Sequence, residues 1–216
     1  AVQEVAEAAR AALDRVSELH RPIDFLLRGM ADRITGGLAA GAGPLRHALE
    51  LMCRLGHQDD GQALGWMSLG LAIVQESAVG ELWDDTIWTQ VATNTVHEAR
   101  ESGALAELPA ALAFRAGLHV LSGELSSATT LLEEATSIAA ATTYAPMRYH
   151  TLSLRAWRGS PAEAIDVMET FRAEAIARGE GRVHGLTAYA GAVLYNGLGR
   201  YEEAFTVAYA GCEYED

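Results

Sequence analysis

Cys53 and His57 stand four positions apart, so a helix would present a thiolate and an imidazole on one face as two ligands of a zinc-type ion. Two donors do not complete a tetrahedral site. His57 directly follows Gly56 at an expected helix end, where an imidazole answers terminal carbonyls and the helix dipole, and that structural role is the reading adopted. Asp84-Asp85-Thr86-Ile87-Trp88 has the opening of an aspartate-rich magnesium motif of isoprenoid enzymes, but Trp88 occupies the place of the third carboxylate and no second acidic cluster follows. Acids in the first turn of a helix account for the pair. The run from Gly179 to Gly185 is one residue too long for a dinucleotide fingerprint and follows a helix instead of a strand, so it reads as an interhelical loop. Neither H-E-x-x-H nor G-x-S-x-G occurs, and a phosphate loop ending in G-K-[ST] is impossible in a chain without lysine. The expectation is a segment that is not an enzyme and carries no cofactor and no metal. A triad assembled from distant positions is the catalytic arrangement that spacing leaves open.

Charge narrows the partners. Acidic residues outnumber basic ones 29 to 16, the net charge is −13, and every basic residue is arginine. Nucleic-acid binding requires clustered cations against the phosphates, so no direct nucleic-acid binding by this segment is expected. No run of eighteen apolar residues occurs, and the first twenty residues are amphipathic and charged without the apolar core of a signal peptide, so a cytoplasmic protein with no membrane partner is expected. Cys53 and Cys212 lie outside zinc-type spacing and are expected as reduced, buried thiols.

The elements that must position these residues are helical throughout. Apolar residues recur at 108, 112, 116 and 120 and again at 125, 128, 132, 135 and 139, the spacing of one helical face, while alternation never persists and no Asn-Gly or Asp-Gly hairpin turn separates two apolar runs. Helices are expected at 2–19, 22–34, 44–56, 60–77, 81–102, 106–122, 125–142, 146–158, 161–178, 182–198 and 200–214. Pro22, Pro44, Pro109, Pro146 and Pro161 fall near these starts, where a missing N–H costs little, so that no proline interrupts a helix. Gly36, Gly37, Gly41 and Gly43 read as a flexible connection. The division expected is an N-terminal helical hairpin at 1–35, the Gly-rich connection at 36–43, and a helical-repeat array at 44–216.

Three turns repeat one another: Gly123 to Ala128, Gly159 to Ala164 and Gly199 to Ala204 all read G-x-x-x-x-A. Their glycines lie 36 and 40 residues apart, near the roughly 34 of a tetratricopeptide repeat, where glycine closes the first helix and a small residue lets the second pack closely. The middle copy is degenerate, with Leu152 where a small residue is usual and Phe171 where its neighbours have Ala135 and Gly211. No repeat aligns before residue 100. The fold class expected is all-α, a right-handed array of antiparallel helix pairs forming a tetratricopeptide-like superhelix. In such an array the first helix of each pair lines the concave groove, and counting back from the turn glycines places Tyr149, Ser153, Trp157, Tyr189 and Asn196 on that face as a ligand or partner groove. Filling of the gaps between repeats is the alternative. Arg148 and Arg155 flank the groove helix and serve either an anionic ligand or the surface carboxylates.

The stretches Leu51 to Ala63, Gln75 to Ala78, Glu81-Leu-Trp-Asp-Asp85, Tyr144-Ala-Pro-Met-Arg-Tyr149, Ala156-Trp-Arg-Gly159 and Val193 to Tyr201 resemble the helical-repeat region of the large ATP-binding LuxR-type transcriptional regulators of actinobacteria. The resemblance covers most of the chain and implies an ATPase domain before it and a helix-turn-helix domain after it in the parent protein. It implies no site residues. A chain that begins at Ala1 and stops at Asp216 without a helix-ending Gly or Pro is then read as a fragment truncated at its C-terminus. The function expected is a sensing or coupling module whose partners are neighbouring domains, a partner protein or a small effector. The alternatives are a stand-alone tetratricopeptide-like scaffold binding a protein or peptide and, more distantly, an all-α enzyme. Tyr201, Ala204, Phe205, Ala208 and Cys212 form an apolar stripe on the last helix, so residues 200–214 are expected to fray or to self-associate.

Overall fold

The computed structural model describes residues 2–55, 78–142, 149–178 and 182–212, and among these every element is helical. The protein is an all-α array whose helices pack in adjacent pairs. The helices are α1 (Val2–Leu13), α2 (Pro22–Gly36), α3 (Leu38–Leu55), α4 (Asp85–Glu101), α5 (Leu108–Leu121), α6 (Leu125–Thr142), α7 (Tyr149–Arg158), α8 (Pro161–Arg178), α9 (Arg182–Gly197) and α10 (Tyr201–Cys212), with a further helical stretch at 78–82. The expected helix 60–77 lies outside the described residues, as do His57, Pro146 and Arg148. No described helix is long and apolar enough to cross a membrane.

The repeated turns have one geometry. Gly123, Gly159 and Gly199 all take a left-handed backbone, with φ of 78°, 69° and 72°, which an L side chain adopts only at a cost. At Gly123 the following N–H of Glu124 reaches back to the carbonyl of His119 at 2.8 Å, and at Gly199 that of Arg200 reaches Tyr195 at 2.8 Å, closing Schellman caps on the preceding helix. The alanine five residues on then donates its N–H to the residue after the glycine, and Ala128, Ala164 and Ala204 are all buried. A fourth turn of this kind escapes the pattern: Gly103, φ 68°, with Ala104 donating to Ala99. It is followed at the fifth position by buried Leu108 instead of alanine.

Burial falls into a chain of small clusters instead of one centre. The first joins α2, α3, Ala78, Val79 and α4 to Phe114 of α5; the next joins α4, α5 and α6, then α5, α6 and α7, and then α7, α8 and α9. Each helix thus packs on its neighbours in sequence, as a stacked array requires. The apolar stripe predicted at 108, 112, 116 and 120 is buried throughout, and Leu152 and Phe171 of the degenerate middle copy are buried too.

Four expectations are corrected. The connection at 36–43 is not a flexible linker: only Gly37, φ 84°, separates α2 from α3, and residues 38–43 are helical. Glycine serves close packing there, because a Cβ on Gly41 would lie 2.4 Å from the carbonyl oxygen of Gly29, and one on Gly29 would lie 2.6 Å from Leu45 Cγ. Pro44 sits inside α3, forgoing the hydrogen bond to the carbonyl of Ala40, because the helix starts a turn and a half earlier than the proline rule indicates. The helix expected at 81–102 is broken at Trp83, a non-glycine residue with φ 50°. The first helix stops at Leu13 instead of 19, where the chain turns and brings Asp14 within 2.7 Å of Arg28 on α2.

Candidate functional site: a cleft between the last three helices

The residues that opened the sequence reading resolve into structural roles. Asp84 caps α4, its side chain accepting the N–H of Ile87 at 3.0 Å, and Asp85 is the first helical residue. Trp88, in place of a third carboxylate, is a core residue stacked on Phe114 with centroids 5.8 Å apart. Residues 179–181 lie outside the described residues, and Arg182 to Gly185 form the first turn of α9 instead of a loop. Cys53 is buried, and removal from water, aided by Glu50 and Asp84, pushes its thiol up to about 11. Cys212 is exposed, contrary to expectation, because it lies on the uncovered side of α10. No group of three potential metal ligands occurs among the described residues.

The five residues assigned to the concave face do not share one environment. Tyr149 is partly buried and turned toward Phe171 of α8, with ring centroids 6.2 Å apart. Ser153 is half-buried, and its hydroxyl donates to the Tyr149 carbonyl of its own helix at 3.4 Å. Trp157 and Tyr189 are 49% and 46% exposed and Asn196 is exposed, so these three remain open to a partner while Tyr149 belongs to the packing between α7 and α8. Arg155 is ion-paired with Glu163 on α8, the surface-carboxylate reading of that residue.

A cleft of about 370 Å³ lies elsewhere, over the face of α9 nearly opposite Tyr189. Its floor is His184, Thr187, Ala188, Gly191 and Tyr195, which recur at helical spacing on α9. Ile165, Met168, Glu169 and Arg172 of α8 form one wall. Thr206, Val207, Ala210 and Gly211 of α10 form the other. Small residues in the floor and in the α10 wall let that wall sit close to α9. A Cβ on Gly191 would lie 2.8 Å from Val207 Cγ1, and one on Gly211 would lie 2.5 Å from Ala188 Cβ, so α10 rests on α9 through glycine contacts. The pairing of 188 with 211 and 191 with 207 makes the two helices antiparallel.

The cleft has a polarity along its length. Met168, Gly191 and Val207 meet in the middle, leaving Arg172, with Glu169 a turn away on α8, beside the end that His184 floors. At the other end Arg200 lies over the Tyr195 ring, 4.7 Å from its centroid, and is ion-paired with Glu203, whose carboxyl it holds below the usual range. Among the described residues Arg172 forms no ion pair with a carboxylate, as is also true of Arg115 and Arg158, whereas Arg155 on the neighbouring helix is paired with Glu163. An apolar centre with a few polar groups is the composition of a small-molecule site, and the volume is within the common range of about 300–1,000 Å³. Sequence reasoning missed it because it counted toward the concave face. The available signal was the set of small residues at 188, 191 and 211.

Past the cleft, the outer side of α10 is apolar and open: Tyr201, Phe205 and Tyr209 are 68%, 70% and 59% exposed, and the last two rings stack at 6.0 Å. Comparison of the chain with protein-family profiles, curated proteins and solved structures finds no match to any of them.

Proposed function

We propose that the chain is the helical-repeat sensing and protein-interaction segment of a large LuxR-type transcription regulator, coupling an ATPase domain to a helix-turn-helix domain in the cytoplasm. The observation that supports this best is the architecture of the array: successive helices share small clusters and leave both a cleft and an aromatic helix face open. A stacked array of this kind presents extended surfaces and transmits a displacement of one helix to the next. The left-handed glycine and buried alanine of the turns at Gly123, Gly159 and Gly199 support its tetratricopeptide-like character. In this reading the segment performs no catalysis and does not contact DNA, since 13 surplus negative charges repel phosphate.

The exposed Tyr201, Phe205 and Tyr209 face favours the alternative of a scaffold that binds a partner protein. The parent gene separates the two. A phosphate loop encoded upstream and a helix-turn-helix downstream are expected, and calorimetric titration of this segment with those separately expressed domains is expected to show binding. A reading frame that ends near Asp216 overturns the regulator assignment and leaves the scaffold.

A further inference from the structure

We propose that the cleft between α8, α9 and α10 is an effector site for a small amphipathic monocarboxylate, with the carboxylate at Arg172 and the apolar body laid over Gly191 and Val207. The inference rests on the sensing half of the function proposed above and adds the chemistry of the effector.

Shape and charge carry the argument. The floor runs from His184 to Tyr195, eleven residues of one helix, which is about 16 Å at the helical rise of 1.5 Å per residue. The cleft of about 370 Å³ has lining residues along that whole length, which suits an extended molecule. Its middle is made of Met168, Ala188, Gly191 and Val207, which offer no hydrogen bond from a side-chain N or O. One arginine borders one end without a carboxylate partner among the described residues, so a bidentate anion is the group that answers it. Glu169 lies one turn from Arg172 on the same wall. Its carboxylate repels a doubly charged head, so a carboxylate is preferred over a phosphate monoester. The other end is already neutralised, because Arg200 is held by Glu203 and covers the Tyr195 ring. The ligand is therefore charged at one end only.

Isothermal titration of the protein with decanoate, decanol, decyl phosphate and decyltrimethylammonium tests this, using the wild type, Arg172→Ala and Ala210→Trp. Both substitutions are at exposed helical positions, and helical circular dichroism verifies folding; Thr206→Trp, at another exposed wall position, replaces Ala210→Trp if that variant unfolds. Decanoate is expected to bind more tightly than the other three, with Arg172→Ala weakening it about tenfold, the size of one charge-assisted hydrogen bond, and leaving decanol unchanged. The indole is expected to abolish binding of both. Decanoate affinity that is absent, equal to that of decyltrimethylammonium, or indifferent to Arg172→Ala overturns the proposal. Loss of decanoate binding together with retained association of the flanking domains removes the effector and leaves the interaction module. Decanoate binding without association of flanking domains keeps the site and removes the regulator assignment.

Discussion

Replacing Gly41 with alanine is expected to destabilise the protein, although the same change at Gly43 stabilises it. Both residues lie inside α3, where alanine is favoured over glycine by about 0.8–1 kcal/mol through backbone entropy alone. Nothing lies within 4 Å of a Cβ built on Gly43, so Gly43→Ala should realise that gain. A Cβ on Gly41 would meet the Gly29 carbonyl oxygen at 2.4 Å and Arg33 Cβ at 2.7 Å. The first of these is backbone of a packed helix and cannot swing aside, so α2 and α3 must separate. Overpacking of this kind costs about 1–3 kcal/mol, which exceeds the propensity gain over most of that range and, because that gain is common to both positions, places the two variants about 1–3 kcal/mol apart. Urea titrations followed by helical circular dichroism should therefore move the midpoint in opposite directions, with the slope unchanged. Equal stabilisation by both substitutions would refute the close approach of the helices and restore the flexible glycine connection.

Gly199→Ala is expected to cost about 1–2 kcal/mol by forcing a side chain into the left-handed turn, and Gly199→Asn to cost less; urea midpoints of the two variants rank them. A chromogenic disulfide reagent at pH 8 should titrate Cys212 rapidly and Cys53 only in denaturant, since burial holds the Cys53 thiol near 11; two fast thiols would contradict the buried placement. Asp24 is held below the ordinary carboxylate range chiefly by the Arg21 side chain, so its stabilising effect is complete above the unfolded value of about 3.9 and is lost as pH falls through the lower folded value. Asp24→Asn should accordingly lower the urea midpoint at pH 7 and converge with the wild type in strong acid. Phe205→Glu, on the open side of α10, is expected to leave stability within about 0.5 kcal/mol and to reduce any concentration-dependent sedimentation, and a marked loss of stability would place Phe205 in a packed interface.

The parts of the fold that could be read in advance are those where local chemistry leaves a local mark. A left-handed turn demands glycine and a close helix crossing demands a small residue, so Gly123, Gly159 and Gly199 with their alanines announced the pairs. Gly103 makes the same turn, but Leu108 stands in for the alanine and hides it. Gly29 and Gly41 were opaque for a different reason: a glycine that admits a neighbouring backbone looks in sequence like one that loosens its own, and only the position of the partner helix distinguishes them. Pro44 misled because a proline suited to a helix start is also tolerated further in when the rest of the helix packs well. The cleft was the least legible feature. It is bordered by residues of three helices that are far apart in sequence, and those residues, such as Arg172, Gly191 and Gly211, are individually ordinary.

The relay of small clusters gives this molecule a folding order set by position. A protein with one centre melts as a unit, but here the cluster shared by α7, α8 and α9 holds none of the residues that join α4, α5 and α6. Loss of α10 would uncover Ala188 and Gly191 and leave the clusters upstream intact, so disorder can advance along the array one helix at a time and be halted by any pair that is pinned. A molecule bound across α8, α9 and α10 would act as such a pin. The array would then respond to its occupant by moving the boundary between ordered and frayed helices, a graded change in the number of folded helices, with every remaining helix keeping its shape.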